Sequence, residues 1–259
     1  MSPEPADPEQ LAEGTLISHL LELRSRLLKA VIAVFIVFTP LAFYANDLYT
    51  FVAQPLIDKL PEGTSIIATS VVAPFMTPLK LALIGALFVA MPYVLYQIWA
   101  FVAPGLYSHE KRLVMPLVIS STILFLVGVA FCYFFVFGQV FKFIQSFAPK
   151  SITAAPDIEA YLGFVLTMFI AFGATFEVPV VVMVLARLGV VSIEKLKSFR
   201  SYFIVLAFIV AAIITPPDVV SQLALAIPMV LLYEAGIWAA QVFIRRTQAP
   251  GEKTETSTP

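Results

Sequence analysis

Charged side chains make up only 13% of the 259 residues, about half the share found in soluble domains, and their absence is concentrated. From 160 to 186 the chain runs for 27 residues with a single charged group, Glu177. An ordinary soluble domain has no use for such a run, whereas a helix crossing a ~30 Å hydrocarbon core needs about 20 apolar residues. A carboxylate at mid-membrane costs on the order of 2.5–3.5 kcal/mol to insert. Glu177 is therefore a functional candidate on cost alone. Cysteine is nearly missing as well: Cys132 stands alone, which excludes an intrachain disulfide. Histidine is limited to His19 and His109. The His19-x-x-Glu22 pair places two ligands one turn apart, but a metal site needs at least three, so no metal and no cofactor are expected. No G-x-S-x-G elbow, P-loop or H-E-x-x-H pattern occurs. The chain is not expected to be an enzyme, and its work must draw on gradients or partners. There is no internal repeat of the inverted-repeat transporter kind. The first 26 residues are acidic and lack a basic n-region and a cleavage site, so they do not read as a signal peptide.

What is present is hydrophobic, 60% of the chain. Apart from Glu177 and Glu234, the charges lie in the gaps between six apolar blocks: Leu27–Tyr44, Leu81–Ala103, Leu113–Phe141, Ala160–Ala186, Ser201–Ile214 and Val219–Ile244. With six spans and a cytoplasmic N-terminus, twelve of the 16 Lys and Arg fall inside and four outside (Lys59, Lys80, Lys142 and Lys150). That is a positive-inside bias. The fifth block, at 14 residues, is shorter than the usual 17–25 for a spanning helix. A re-entrant reading leaves five spans but puts Arg245 and Arg246 outside, against the bias. The expected fold is thus an all-α membrane protein of six transmembrane helices, N-in/C-in. Pro92, Pro179 and Pro228 within the spans suggest a kinked, concave bundle, with short fifth and sixth spans. The expected organisation is a flexible cytoplasmic N-terminus at 1–14, a membrane domain at 15–246 and a disordered cytoplasmic tail at 247–259.

The connecting segments carry further patterns. Over Thr15–Lys29, Ser18, His19, Glu22, Ser25, Arg26 and Lys29 recur on one polar face while Leu16, Leu20, Leu23 and Leu27 line another. An interfacial amphipath running on into the first span is expected. Arg24 shares a face with Leu20, Leu21 and Leu28, so it must snorkel or meet an acceptor. Leu48, Phe51, Val52, Leu56 and Leu60 suggest a short amphipathic helix on the outer surface, broken at Pro55 and stopped at Pro61. Pro104-Gly105 ends the second span before the charged cluster His109-Glu110-Lys111-Arg112.

Two readings stay open for the acids. Glu22 pairs with Arg26 at i,i+4, a contact of about 0.3–0.5 kcal/mol, and Glu110 with Lys111 or Arg112; or the two carboxylates together receive a cationic ligand. Because a carboxylate holds a guanidinium bidentately, an arginine ligand is the more specific choice. Glu177 is a proton-coupling site, a partner for a polar group of another helix, or a structural acid near the Thr175 carbonyl that Pro179 leaves without its helical donor. Glu234, near the inner end of the last span, either snorkels or has a role. A proton-coupled small-solute transporter with Glu177 as carrier acid is the alternative to a receptor for a cationic ligand.

Several segments in order resemble the TatC family, the multispanning receptor of the twin-arginine protein translocase: HLLELRSRLL at 19–28, PL at 55–56, FMTPLKLA at 75–82, YQIWAFVAPGLYSHEKR at 96–112, FGATFEVPV at 172–180 and TPPDVVSQ at 215–222. The resemblance implies that Glu22, Arg24, Phe101 and Glu110 form the cytoplasmic signal-peptide site. It makes Glu177 the intramembrane acid, and Pro55 and Asp218 outer-side functional positions. It further implies binding of twin-arginine signal peptides on folded cargo and single-span partners of the TatA and TatB kind. Export driven by the proton-motive force, a homo-oligomer within a larger receptor complex and residence in the bacterial cytoplasmic membrane follow from it too. No nucleic acid is expected as a partner. Thr215 and Gln222, polar positions near the last two spans, are candidate contacts for partner helices. The stretch 66–76 departs from the family in having no acid at about Ser70 or Ala73, which leaves the outer cap without one of its own.

Overall fold

The computed structural model describes residues 8–57, 66–102, 114–147, 156–215 and 218–247, with side chains from Ile17 onward except at 55, 56, 145, 147 and 243–247. The elements are α1 (Pro8–Leu41), a 3-10 turn (Ala42–Tyr44), α2 (Ala45–Ile57), α3 (Ala73–Val102), α4 (Val114–Phe131), a π-turn (Cys132–Val136), α5 (Phe137–Phe147), α6 (Ile158–Arg187), α7 (Ile193–Ser198), α8 (Arg200–Ile214) and α9 (Val219–Thr247). Among the described residues five stretches are long and apolar enough to cross a membrane: 17–54, 73–102, 114–144, 158–187 and 219–242. With 15 residues, α8 is the short element the fifth block led one to expect. The last helix differs from expectation, since α9 has 29 residues and is not short. The helix continues past Pro228, and Arg245 and Arg246 extend it beyond the apolar part.

Helix starts and stops also moved. Helix α1 begins at Pro8 rather than near Thr15, with proline in the first turn, where its missing N–H has no helical partner anyway. Pro55 does not break α2, which continues to Ile57. A proline so near a helix end removes one hydrogen bond and leaves little helix beyond it to disrupt. The third apolar block is one helix in three parts, interrupted by the π-turn at Cys132–Val136. Nothing in its uniform hydropathy marks that extra residue.

The chain forms two compact units. The first comprises 1–123 with 153–166, and its main seam is α1 against α3. Here the amphipathic pattern of α1 is turned inside out. Leu20, Leu23 and Leu27 are exposed, whereas Glu22 and Arg26 are half-buried toward α3. In water that orientation would be unfavourable, but a lipid-facing stripe loses nothing by staying apolar and the polar groups gain partners inside. At the opposite end of this unit, 67–69 is clasped to the start of α6. Ile67 N–H donates to the Pro156 carbonyl (3.0 Å) and Ile158 N–H to the Ile67 carbonyl (2.8 Å). Asp157 caps α6, its Oδ1 accepting from the N–H groups of Glu159 and Ala160 (2.9 Å each). Its Oδ2 accepts from the N–H (3.0 Å) and hydroxyl (2.7 Å) of Thr69. The Ala160 N–H first, then the Thr69 hydroxyl, hold the Asp157 carboxyl down at about 2. Lys80 pairs with Glu159 beside it, and the buried Tyr161 hydroxyl donates to the Val52 carbonyl (3.1 Å). The acid missing from 66–76 is thus supplied by the segment that packs on it.

The second unit comprises 124–152 with 167–259. Helices α4 and α6 approach closely within it: a Cβ on Gly128 would lie 2.6 Å from the Phe172 carbonyl, and one on Gly173 would lie 2.4 Å from the Phe125 ring. Phe131 packs against Phe172 and Phe176 (centroids 5.9 and 5.8 Å), and Phe137 against Phe169 (5.3 Å). Toward α9, a Cβ on Gly236 would meet the Pro179 Cα at 2.8 Å. A corner of α7, α8 and α9 is tied by Tyr233, which stacks on Phe203 (3.9 Å, 11°) and donates its hydroxyl to the Leu196 carbonyl (2.8 Å).

Candidate functional site

Helices α1 and α3 carry polar residues that meet as two rungs. Arg26 donates through Nε (2.9 Å) and Nη2 (2.7 Å) to Oε1 of Glu22, one turn earlier on α1. Its Nη1 reaches Oε1 of Gln97 on α3 at 3.4 Å, a long contact at the edge of hydrogen-bonding range. Gln97 is buried, and burial of an amide without a partner is costly, so the guanidinium and the amide account for each other. One turn further along α3 and two turns back along α1, His19 stacks on Phe101 (4.2 Å, 21°). Glu22 lies on α1 between the rungs, its side chain 35% exposed and that of Arg26 24%. A carboxylate that is reachable from solvent yet backed by a half-buried guanidinium is suited to trade hydrogen-bond donors.

The pairing of Glu22 with Arg26 was one of the two readings open from sequence, and it is the state present here. Phe101 joins the site through His19, and Arg24 is exposed on another face of α1. Glu110 lies outside the described residues, as do His109, Lys111 and Arg112. Sequence reasoning missed Gln97. Its signal was an amide inside the apolar block 81–103, where a polar side chain needs a reason to be buried. His19 is exposed, and its ring is used against Phe101.

The second unit holds the other candidates. Glu177 on α6 is half-buried with both carboxylate oxygens withdrawn from solvent, two residues ahead of the close approach at Pro179. Glu234 does not snorkel alone: its Oε2 accepts from Nη2 of Arg200 at 2.6 Å. Asp218 caps α9, Oδ1 accepting from Ser221 N–H at 2.7 Å, and its Oδ2 and the Ser221 hydroxyl are buried. Thr215 is buried and its hydroxyl donates back to the Ala211 carbonyl (2.8 Å), so a partner helix would have to win that hydroxyl from its own helix. Gln222 donates from its amide to the Phe208 carbonyl at 3.3 Å. Pro55 lies within α2; its side chain is outside the described set. Among the described residues no cluster of three or more His, Cys, Asp or Glu is placed to hold a metal.

Comparison with known proteins bears on what these groups serve. The sequence profile of a family described as "Sec-independent protein translocase protein (TatC)" matches residues 18–228. A Haemophilus influenzae protein of that name is 51% identical over 228 residues, covering 88% of this chain and 89% of its own length. The Escherichia coli K12 protein of the same name is 48% identical over 229 residues, with the same coverage of both chains. A solved structure titled "Crystal Structure of Twin Arginine Translocase Receptor- TatC" superposes with a TM-score of 0.77 at 40% identity, covering 88% of this chain and all of that one.

Proposed function

We propose, from the premise that this chain belongs to the TatC family of Sec-independent protein translocase proteins, that Glu22 is where a signal-peptide arginine is held. The chain is a multi-pass protein of the bacterial inner membrane and the receptor component of the twin-arginine translocase. Its family is a translocase family, not a family of enzymes. In this reading the termini are cytoplasmic, six helices span the membrane with α8 as the short fifth, and Glu110 is the second acid of the arginine site. Phe101 borders it, and Arg24 lies beside it among the headgroups. The observation that carries the assignment is the Arg26–Glu22 contact: the seam already accommodates a guanidinium edge-on against this carboxylate.

The other candidates act after capture. Glu177 serves inside the membrane, staying protonated and bonding to a neighbour, or meeting a polar group of the inserted signal or a partner helix. Asp218, Pro55, Thr215 and Gln222 serve the opposite side, where single-span TatA- and TatB-type partners dock. The complex contains several copies of this chain, and transport is driven by the proton-motive force. Photo-crosslinking of the arginine region of a twin-arginine signal peptide tests the site. Loss of the crosslink in a Glu22→Gln, Glu110→Gln double variant is expected, and an undiminished crosslink would refute the assignment.

A further inference from the structure

We propose that Arg26 is a resident guanidinium that a ligand arginine must displace from Glu22, and that this exchange makes the receptor prefer arginine to lysine. The inference rests on the reading of Glu22 as an arginine-binding acid. Arg26 presents Nε and Nη2 to one oxygen, Oε1, at 2.9 and 2.7 Å. That is the edge a ligand arginine would present, and a bidentate ligand needs Oε1 as well as Oε2, so the two compete for Oε1. While Arg26 is in place the Glu22 charge is already compensated, and a passing cation meets little net attraction.

The displaced group is not stranded. Nη1 of Arg26 lies 3.4 Å from Oε1 of Gln97 on the neighbouring helix, and the side chain is 24% exposed, so water and the amide receive it. Solvent-accessible i,i+4 pairs shift an equilibrium by only about two- to fivefold, and this half-buried pair is still reached by water. Release is therefore easy enough for a ligand to drive. An incoming arginine replaces the resident bonds one for one. Lysine, a compact ammonium with a strong hydration shell, does not reproduce the flat fork. It must break two bonds and regain a point contact, so it loses against the resident where arginine draws level. Net affinity then comes from whatever else the ligand touches, and the exchange acts as a filter on cation type.

Had Arg26 served instead as a clamp holding the Glu22 rotamer, removing it would weaken binding; the exchange predicts the opposite sign. The full-length chain in nanodiscs of phosphatidylethanolamine and phosphatidylglycerol is titrated with two fluorescent synthetic signal peptides, identical except for Arg-Arg or Lys-Lys. Arg26→Gln is expected to bind the Arg-Arg peptide about two- to fivefold tighter and to gain more for the Lys-Lys peptide, narrowing the ratio of the two. Arg26→Lys, which keeps the charge, is expected to narrow the ratio as well. Weaker or unchanged Arg-Arg binding by Arg26→Gln overturns the exchange, as does an undiminished ratio in Arg26→Lys, which decides the matter should the glutamine variant fail to fold. Glu22→Gln is the separate control: if it binds both peptides as the parent does, the arginine-site reading itself has failed.

Discussion

The α1–α3 seam and the α4–α6 seam bring helices together by opposite means. In the first, long polar side chains meet: Arg26 reaches Gln97, and His19 lies on Phe101. In the second, glycines let the helices close in, with Gly128 against the Phe172 carbonyl and Gly173 against the Phe125 ring, and aromatic rings pack beside them. Lipid offers no hydrophobic drive to hold helices together, so small residues that admit close van der Waals contact supply it at the second seam. Such contact tolerates no change of partner. Half-exposed charged groups, each worth little alone, can be traded without loss of the fold. The comparison separates a seam fixed by close contact from a seam whose polar groups are open to exchange.

The strongest way to break the contrast is to fill the tight seam. Gly128→Leu places a Cβ 2.6 Å from backbone, which cannot rotate away. A loss of about 1–3 kcal/mol or more is expected, read as a drop in thermal midpoint in detergent. Glu22→Gln should do the reverse: arginine-region crosslinking falls sharply while the thermal midpoint stays within the scatter of surface substitutions, about 0.5 kcal/mol. A large loss of stability in Glu22→Gln would erase the distinction between the seams.

Smaller effects sharpen it. Gln97→Leu leaves the guanidinium without its amide and should cost about 0.5–1.5 kcal/mol, toward the lower end given the 3.4 Å contact; double-mutant cycles with Arg26→Gln measure the coupling. The smallest effect belongs to the Asp157 clasp. Its carboxyl sits at about 2, below the ordinary 3.8, so the folded state favours the ionised form. That contribution is complete above about 3.8 and is lost as pH falls through about 2. Amide exchange at Ile67, Thr69 and Ile158 should be unchanged between pH 7 and 5 after correction for intrinsic rates. Asp157→Ala should raise exchange at Thr69 across that whole range, while Ile67, held by backbone carbonyls, changes less.

Much of this protein was legible along the chain. Runs without charge located the helices, since a helix in hydrocarbon must be apolar on every lipid-facing side whatever it packs against. Glu22 and Glu177 stood out because a carboxylate beside or within such runs must have a partner or a purpose. The i,i+4 spacing anticipated the Glu22–Arg26 pair, and the ordered motifs made Glu22 a candidate site residue before any geometry was known. Boundaries were less legible. The start of α1 at Pro8, the passage of α2 through Pro55, the length of α9 and the π-turn at Cys132–Val136 all depend on balances of one hydrogen bond that hydropathy does not register. Tertiary structure alone decided which face of α1 turns inward, because an amphipathic stripe has no fixed direction until its solvent is known: in lipid, Leu20, Leu23 and Leu27 face out and Arg26 turns to Gln97. It alone joined Asp157 to Thr69, 88 residues apart. Local sequence sets what a residue can bond to, but chain packing sets what it meets.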